Sequence, residues 1–316
     1  MRMDSKPPAR PLADGILVVN KVKESTSMEV VRVAKRVTRV KRVGHAGTLD
    51  PIATGVLPIC FGQATRLMEY LVDGRKIYRA EFTLGAATDT YDSYGAETHT
   101  GDWSSVTREQ VEAQFPEFTG FVLQKPPMYS ALKHEGKRLY ELARAGIEVE
   151  REAREVVVHK MTLLDWAPPK LTVEVECGRG FYMRTLAHDM GVALGCYAHL
   201  SELTRAQAGA FTLDDAIGIE EFEAAGDEEA WMDLLLPPDA ALRSMDALTL
   251  DAAAERHLRN GQAVTLAGSV YTKHLEARRA YAVDGRFLGI VRFNRAESQW
   301  QPEKVFDLAK PSWFAP

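Results

Sequence analysis

The sequence predicts a mixed α/β protein with a smaller β-rich unit at its C-terminal end, and three features lead there. Strand candidates recur at residues 16–19, 77–84, 156–164 and 171–177, the second and last with the period-two alternation of half-buried strands. Between them lie segments that open on helix-capping pairs, Thr26 with Glu29 and Thr107 with Gln110, each able to satisfy free backbone donors at a helix start. Beyond Pro237-Pro238 the pattern shifts to one helix and short strands around an Asp284-Gly285 turn, a strong hairpin signal. A chain of 316 residues exceeds what one core usually supports, so residues 14–244 are expected to form the main domain and 245–316 a small one.

Taken in order, Ile16 to Val19 is a short buried-strand candidate, and the turn after it delivers Lys21 ahead of the first helix. In that helix Val30, Val33, Ala34 and Val37 repeat at helical spacing, which leaves Arg32, Lys35, Arg36 and Arg39 largely on the other face. Over 77–84, Tyr78, Ala80, Phe82 and Leu84 share one side, so Tyr78 points inward and its hydroxyl needs a polar partner. Gly85 to Gly101 has the Gly, Thr, Asp and Ser of a loop, and Thr107 opens a helix through about Phe115. Residues 124–154 carry seven basic against five acidic residues with Tyr129 and Tyr140 interleaved. That composition fits an RNA-contacting insertion and an ordinary surface excursion equally, and it includes a short helix from Arg138 to Ala145 stopped by Gly146. After the 171–177 strand, Gly178-Arg179-Gly180 leads into a helix through Leu194. Helices are expected at Glu220–Ala225, Glu228–Leu236 and Asp251–Arg259, with the later strands closing a small barrel.

Composition excludes several classes. Hydrophobic content of 46% and charged content of 26% are ordinary for a globular chain, and no run approaches the ~18 apolar residues of a membrane span. Residues 1–13, with Pro7, Pro8 and Pro11 but no apolar core, read as a disordered lead-in, and a cytoplasmic location is expected. Cys60, Cys177 and Cys196 lack ligand or CxxC spacing, and the eight histidines are dispersed. Reduced, packed thiols and no metal site are expected.

The most informative stretch is Gly44 to Leu57, GHAGTLDPIATGVL, in which a single carboxylate, Asp50, sits on a loop hinged by glycine and proline. Just before it, residues 21–42 hold eight Lys or Arg against Glu24 and Glu29, a local balance of +6. The whole chain is −5 because residues 214–246 hold eleven Asp or Glu against Arg243, which leaves +5 for the remainder. Acid is thus segregated from the basic front. A carboxylate behind a basic approach suits a polyanionic substrate.

On these residues the chain resembles the TruB family of transfer-RNA pseudouridine synthases. The 44–57 segment matches the family's catalytic motif. Further matches are Tyr78 in a Tyr-Arg strand, Thr88-Asp89-Thr90 with Asp92, the Pro126-Pro127-Met128-Tyr129-Ser130-Ala131-Leu132-Lys133 run, and Tyr182 with Arg184. They run in family order from about residue 14 to 215. One departure stands at Asn20-Lys21-Val22-Lys23-Glu24-Ser25-Thr26-Ser27: Lys21 is kept, but Val22 and Glu24 replace the family's proline and glycine, which leaves the turn's geometry open. The C-terminal unit resembles a PUA-type RNA-binding domain by position and strand pattern.

The resemblance implies a pseudouridine synthase fold, a largely antiparallel central sheet with flanking helices and a cleft. It implies isomerisation of uridine to pseudouridine in the T-loop of transfer RNA, at position 55, by a monomer that flips the base and needs no cofactor or metal; the T-arm is the partner. Asp50 would serve beside the ribose as nucleophile or base, with Arg184 as the cation whose planar fork orients it. Tyr78 would stack on the uracil, its hydroxyl placed to take the carbon 5 proton. His45 would fill the gap left by the extruded nucleotide. Tyr182 and Leu203 would wall the uracil pocket, with Lys21 and Asp92 supporting the site. A non-catalytic RNA-binding or RNA-folding protein on the same scaffold is the rival reading. A carbohydrate glycosidase usually wants two carboxylates flanking the bond, and the motif offers one.

Overall fold

The computed structural model describes residues 13–226, 230–266 and 272–316. Apart from Ala13, the expected lead-in lies outside the described residues, as does the start of the helix expected at 228. The first strand, β1 (Gly15–Lys21), runs beside β3 (Ala53–Phe61) in an antiparallel pair. Its continuous apolar run has a physical reason: Leu17 and Val19 pack into one buried cluster with Val30, Val31 and Ala34, while Ile16 and Val18 enter a second cluster on the opposite face. A strand covered on both sides cannot alternate.

The helix α1 (Ser27–Thr38) is opened by the Thr26/Glu29 capping box. Its buried stripe is Val30, Val31, Ala34 and Thr38, rotated slightly from the expected one, and Arg32, Lys35, Arg36 and Arg39 are exposed. The chain continues through β2 (Val43–His45), α2 (Met68–Asp73), β4 (Lys76–Leu84), the short pair β5 (Ala86–Thr88) and β6 (Glu97–Thr100), and α3 (Arg108–Gln114). Next come β7 (Gly120–Gln124), the small hairpin β8 (Lys133–His134) and β9 (Lys137–Arg138), α4 (Leu139–Arg144), β10 (Arg154–Ala167), β11 (Lys170–Cys177), α5 (Met183–Ala193), β12 (Ala198–Ala208), β13 (Phe211–Thr212) and α6 (Ile219–Ala225).

These strands form a nine-stranded sheet in the order β1-β3-β12-β4-β11-β10-β7, with β2 beside β3 and β13 beside β12. All pairings are antiparallel except β12 with β3. That parallel contact lies where the chain's halves meet, bringing Leu203 opposite Ala53 and Arg205 opposite Gly55. The remaining elements, β14 (Ala247–Leu250), α7 (Ala252–Arg259), β15 (Ala277–Ala282), β16 (Phe287–Asn294) and β17 (Gln299–Val305), follow the Pro237-Pro238 break. The Asp284-Gly285 turn joins β15 to β16, with Gly285 at φ +83°.

Four expectations are corrected. Residues 85–101 are not one loop, since β5 and β6 pair within them. The second acidic helix is a short 3-10 turn, Ala230–Leu234, pinned by buried Trp231. The small barrel is, among the described residues, an open four-stranded sheet with β14 parallel to β15. Acid and base are not fully segregated: α6 lies against α1, and Glu223 pairs with Arg36. No helix among the described residues is long and apolar enough to cross a membrane. Cys60, Cys177 and Cys196 are free and buried.

Candidate active site

Asp50 lies on the loop between β2 and β3, held from several sides. Ser27, the first residue of α1, accepts from Leu49 N at 2.8 Å and donates to Leu49 O at 3.2 Å. Ala53 N donates to Asp50 O at 3.0 Å. The carboxylate keeps 36% of its surface exposed, while the Arg184 side chain keeps 4%. Arg184 enters this spot because Met183–Ala193 is helical from just ahead of it, with Tyr182 as N-cap. Gln124 fixes that cap through both backbone groups of Tyr182, accepting from N at 2.7 Å and donating to O at 3.0 Å.

Arg184 meets Asp50 as expected, through a single bond. Nε donates to Asp50 Oδ2 at 2.9 Å, while Nη1 and Nη2 are drawn off to the carbonyls of Thr90 (3.1 Å) and Tyr129 (2.6 Å). One buried guanidinium therefore joins the motif loop, the 88–92 turn and the 124–154 insertion. Asp92, buried beside it, has Oδ2 3.7 Å from Nε. Its Oδ1 accepts from Thr90 Oγ1 at 2.6 Å and Tyr94 N at 3.1 Å.

Lys21 is 1% exposed; its Nζ donates to Val22 O at 2.9 Å and Ser25 O at 2.7 Å. Burial drives its pKa down to about 8, with Asp50 pulling the other way. The sequence departure is absorbed by the backbone. Glu24 takes φ +66° where the family has glycine, and its N donates to Pro51 O at 2.8 Å. A left-handed glutamate costs roughly 1 kcal/mol or more.

Tyr78 stands half-buried on β4, and burial raises its hydroxyl's pKa against the opposing charge of Arg205. Tyr182 is also half-buried, its hydroxyl raised by burial and by the charge of Asp50. Leu203 is 6% exposed, between Ala53 on β3 and Ala80 on β4. His45 is on β2, its Nδ1 enclosed without a partner among the described residues. Burial and Arg205 lower its pKa, which favours the neutral ring. The structure thus gathers Lys21, Tyr78, Asp92, Tyr182 and Arg184 about Asp50, with Leu203 on the neighbouring strand β12 and His45 at the start of the loop.

Arg205 was not singled out from the sequence. It is 1% exposed and donates to the carbonyls of Val56 (2.7 Å), Gly47 (3.2 Å) and Thr48 (3.5 Å). The signal was parity: in β12, Leu203 and Arg205 fall on buried positions and Thr204 between them does not. The motif's glycines answer to it, since a Cβ on Gly55 would lie 2.3 Å from Arg205 O. Gly47 and Gly55 adopt φ +99° and +101°, where glycine alone is unstrained.

Among the described residues no group of three His, Cys, Asp or Glu is arranged to hold a metal ion. On the insertion, the guanidinium carbons of Arg138 and Arg144 lie 6.0 and 5.6 Å from the Tyr140 ring centre. Basic and aromatic groups interleaved in this way can meet phosphates and bases.

Residues 35–183 match the TruB family pseudouridylate synthase N-terminal domain, and residues 184–243 match the tRNA pseudouridylate synthase B C-terminal domain. The chain is 42% identical over 293 residues to tRNA pseudouridine synthase B of Dehalococcoides mccartyi, covering 93% of this chain and 96% of that protein. It is 42% identical over 312 residues to the protein of that name from Cupriavidus metallidurans, covering 96% and 98%. Among solved structures, a chain of an H/ACA RNP bound to a substrate RNA containing 2'-deoxyuridine superposes with a TM-score of 0.71 at 20% identity, covering 96% of this chain and 88% of that one; this shows a shared fold. With the motif loop, the sheet and the sequence in agreement, the chain belongs to the TruB family of pseudouridylate synthases.

Proposed function

We propose that this protein isomerises uridine to pseudouridine in the T-loop of transfer RNA, at position 55, as a cytoplasmic monomer whose site is built from one chain. The observation that carries the reading is the Asp50–Arg184 pair: a carboxylate open to solvent on one side, fixed by a single bond from a guanidinium that is itself immobilised. Family membership supports the reaction class, and the names of the relatives support the substrate.

The bond between nitrogen 1 and the ribose breaks, uracil turns, and carbon 5 joins the ribose. The proton lost at carbon 5 is balanced by one gained at nitrogen 1, so no cofactor is required. Arg184 Nε holds Oδ2 of Asp50, and Oδ1, without a partner among the described residues, is free to act at the sugar. Whether Asp50 attacks or removes a proton, the ionised form is the one that reacts. Extruding the target costs a few kcal/mol; stacking on Tyr78 returns roughly 1 to 3 kcal/mol. Neutral His45 fills the vacated position, Tyr182 and Leu203 wall the base, and Lys21 and Asp92 hold the loops that carry the acid. Exposed arginines of α1, the 124–154 insertion and the PUA-like residues 245–316 bind backbone phosphates, so affinity falls steeply with salt.

The test incubates purified protein with a T-arm hairpin and assays pseudouridine, wild type beside Asp50→Asn. Product from wild type alone is expected. Equal product from both would remove Asp50 from the chemistry, and no product from wild type would favour the rival reading of RNA binding alone.

A further inference from the structure

We propose that Arg205 is a positioning residue for proton transfer at carbon 5: its buried guanidinium, paired across the sheet with Tyr78, holds the Asp50 loop and sets a positive charge behind the Tyr78 hydroxyl. This rests on the pseudouridine-forming reading above and goes beyond it by assigning the charge behind the base.

Three features of the geometry carry the inference. Arg205 and Tyr78 are directly paired residues on the neighbouring strands β12 and β4, so their side chains leave the sheet on the same face. The guanidinium then reaches the carbonyls of Gly47, Thr48 and Val56, which flank Asp50 in sequence. The group that holds the loop thus lies on the strand position paired with the tyrosine. Most telling is what the arginine lacks. It is 1% exposed and, among the described residues, forms no ion pair with any carboxylate; its acceptors are neutral carbonyls.

A fully buried cation without a counter-charge is costly, and arginine cannot shed its proton to escape the cost. Lys21, His45 and Lys76 also feel its charge, and none of them can supply an anion. The groups that face Tyr78 are Arg205, Cys177 and Asp50. Of these Cys177 is held neutral by burial, which pushes its thiol up to about 12, and Asp50 would oppose a second negative charge. Arg205 alone favours one. The phenolate oxygen takes the proton from carbon 5, the C–H electron pair returns to the ring to restore the C5–C6 double bond, and nitrogen 1 ends protonated.

The test measures single-turnover rates of pseudouridine formation on T-arm hairpins carrying uridine with hydrogen or deuterium at carbon 5. Wild type is compared with Arg205→Lys and Arg205→Met, each also in a Tyr78→Phe background, with RNA affinity and thermal unfolding measured alongside. The expected result is RNA affinity within about threefold and a rate loss on the order of 10²-fold for Arg205→Met. Arg205→Lys should recover part of that rate. The carbon 5 isotope effect should grow in both variants, and the Arg205→Met loss should shrink below about tenfold once Tyr78 is phenylalanine. A rate loss with no isotope effect, an undiminished loss in the Tyr78→Phe background, or failure of both variants to fold would assign Arg205 to loop architecture alone and overturn the proposal. Wild type that makes no pseudouridine would instead sink the functional reading beneath it.

Discussion

The molecule contains two groupings of aspartate, tyrosine and arginine, and they behave oppositely. Near the motif loop, Asp50 meets Arg184 through one 2.9 Å bond and keeps about a third of its side chain exposed, and Tyr78 feels its charge without sharing a hydrogen bond with it among the described residues. Where the C-terminal sheet joins the main one, Asp239 is 0% exposed and accepts from Tyr281 Oη and Ser312 Oγ, both at 2.6 Å. Arg279 Nη1 donates to the same tyrosine oxygen at 3.0 Å, and Arg279 Nε to Met245 O at 2.9 Å. Around that second grouping, Tyr281, Phe287, Ile290 and Phe306 share a hydrophobic cluster with Ile16, Val18 and Val56 of the large sheet. Burial and the bond to Asp239 push the Tyr281 hydroxyl far above its ordinary range, so it stays a donor. Residue type does not separate a reactive site from a structural knot; the difference is whether a charged oxygen remains accessible after its partners are satisfied.

The largest effect expected from this contrast is on Asp50. Asp50→Asn should lower the pseudouridine-forming rate by at least about 10⁴-fold with little change in unfolding temperature, read by product assay and calorimetry on the same sample. Asp239→Ala should do the reverse, costing about 3 kcal/mol in urea unfolding, as expected when a buried polar knot is left unpaired, while folded enzyme keeps its rate within about twofold. If that variant proved stable but inactive, the two groupings would not differ as argued. Arg184→Lys comes next. A lysine cannot reach Asp50, Thr90 O and Tyr129 O together, so a rate loss near 10²-fold is expected, most of it in kcat.

The smallest effect sharpens the comparison with a third carboxylate. Asp189, farther along α5 from Arg184, has no ion pair among the described residues, and burial raises its pKa to about 6. Because the folded protein binds this proton more tightly than the unfolded chain, the group's contribution is fully present below about pH 4 and is lost as pH rises through 6. Asp189→Asn should therefore stabilise the protein at pH 7 by about 1 kcal/mol, discounted for its partial exposure, and change little at pH 4. Denaturant titrations at the two pH values give the comparison, and an equal shift at both would remove burial as the cause.

Much of the site was legible because its signals are local. The Thr26/Glu29 and Thr107/Gln110 caps formed as the spacing indicates, since a capping box needs only one helical turn. The lone carboxylate stood out because glycines and a proline surround it. Misreadings arose where partners are distant in sequence. The β5–β6 pair hides in loop-like composition because strands of three and four residues carry too little alternation to read. Blocks of opposite charge looked segregated, yet Arg36 and Glu223 lie far apart in sequence and meet in space. Arg205 escaped notice because a charged residue at a buried strand position is interpretable only when its acceptors are known.

From the residues alone came the candidate reactive group, the helix starts, the alternating strands and the basic approach, each set by neighbours a turn or two away. Tertiary structure decided how many prongs of Arg184 reach Asp50, what the charge of Arg205 faces, and which aspartate is left open. Those outcomes depend on which carbonyls compete for a guanidinium and on how far water is excluded, and both are properties of segments brought together only by the packed sheet.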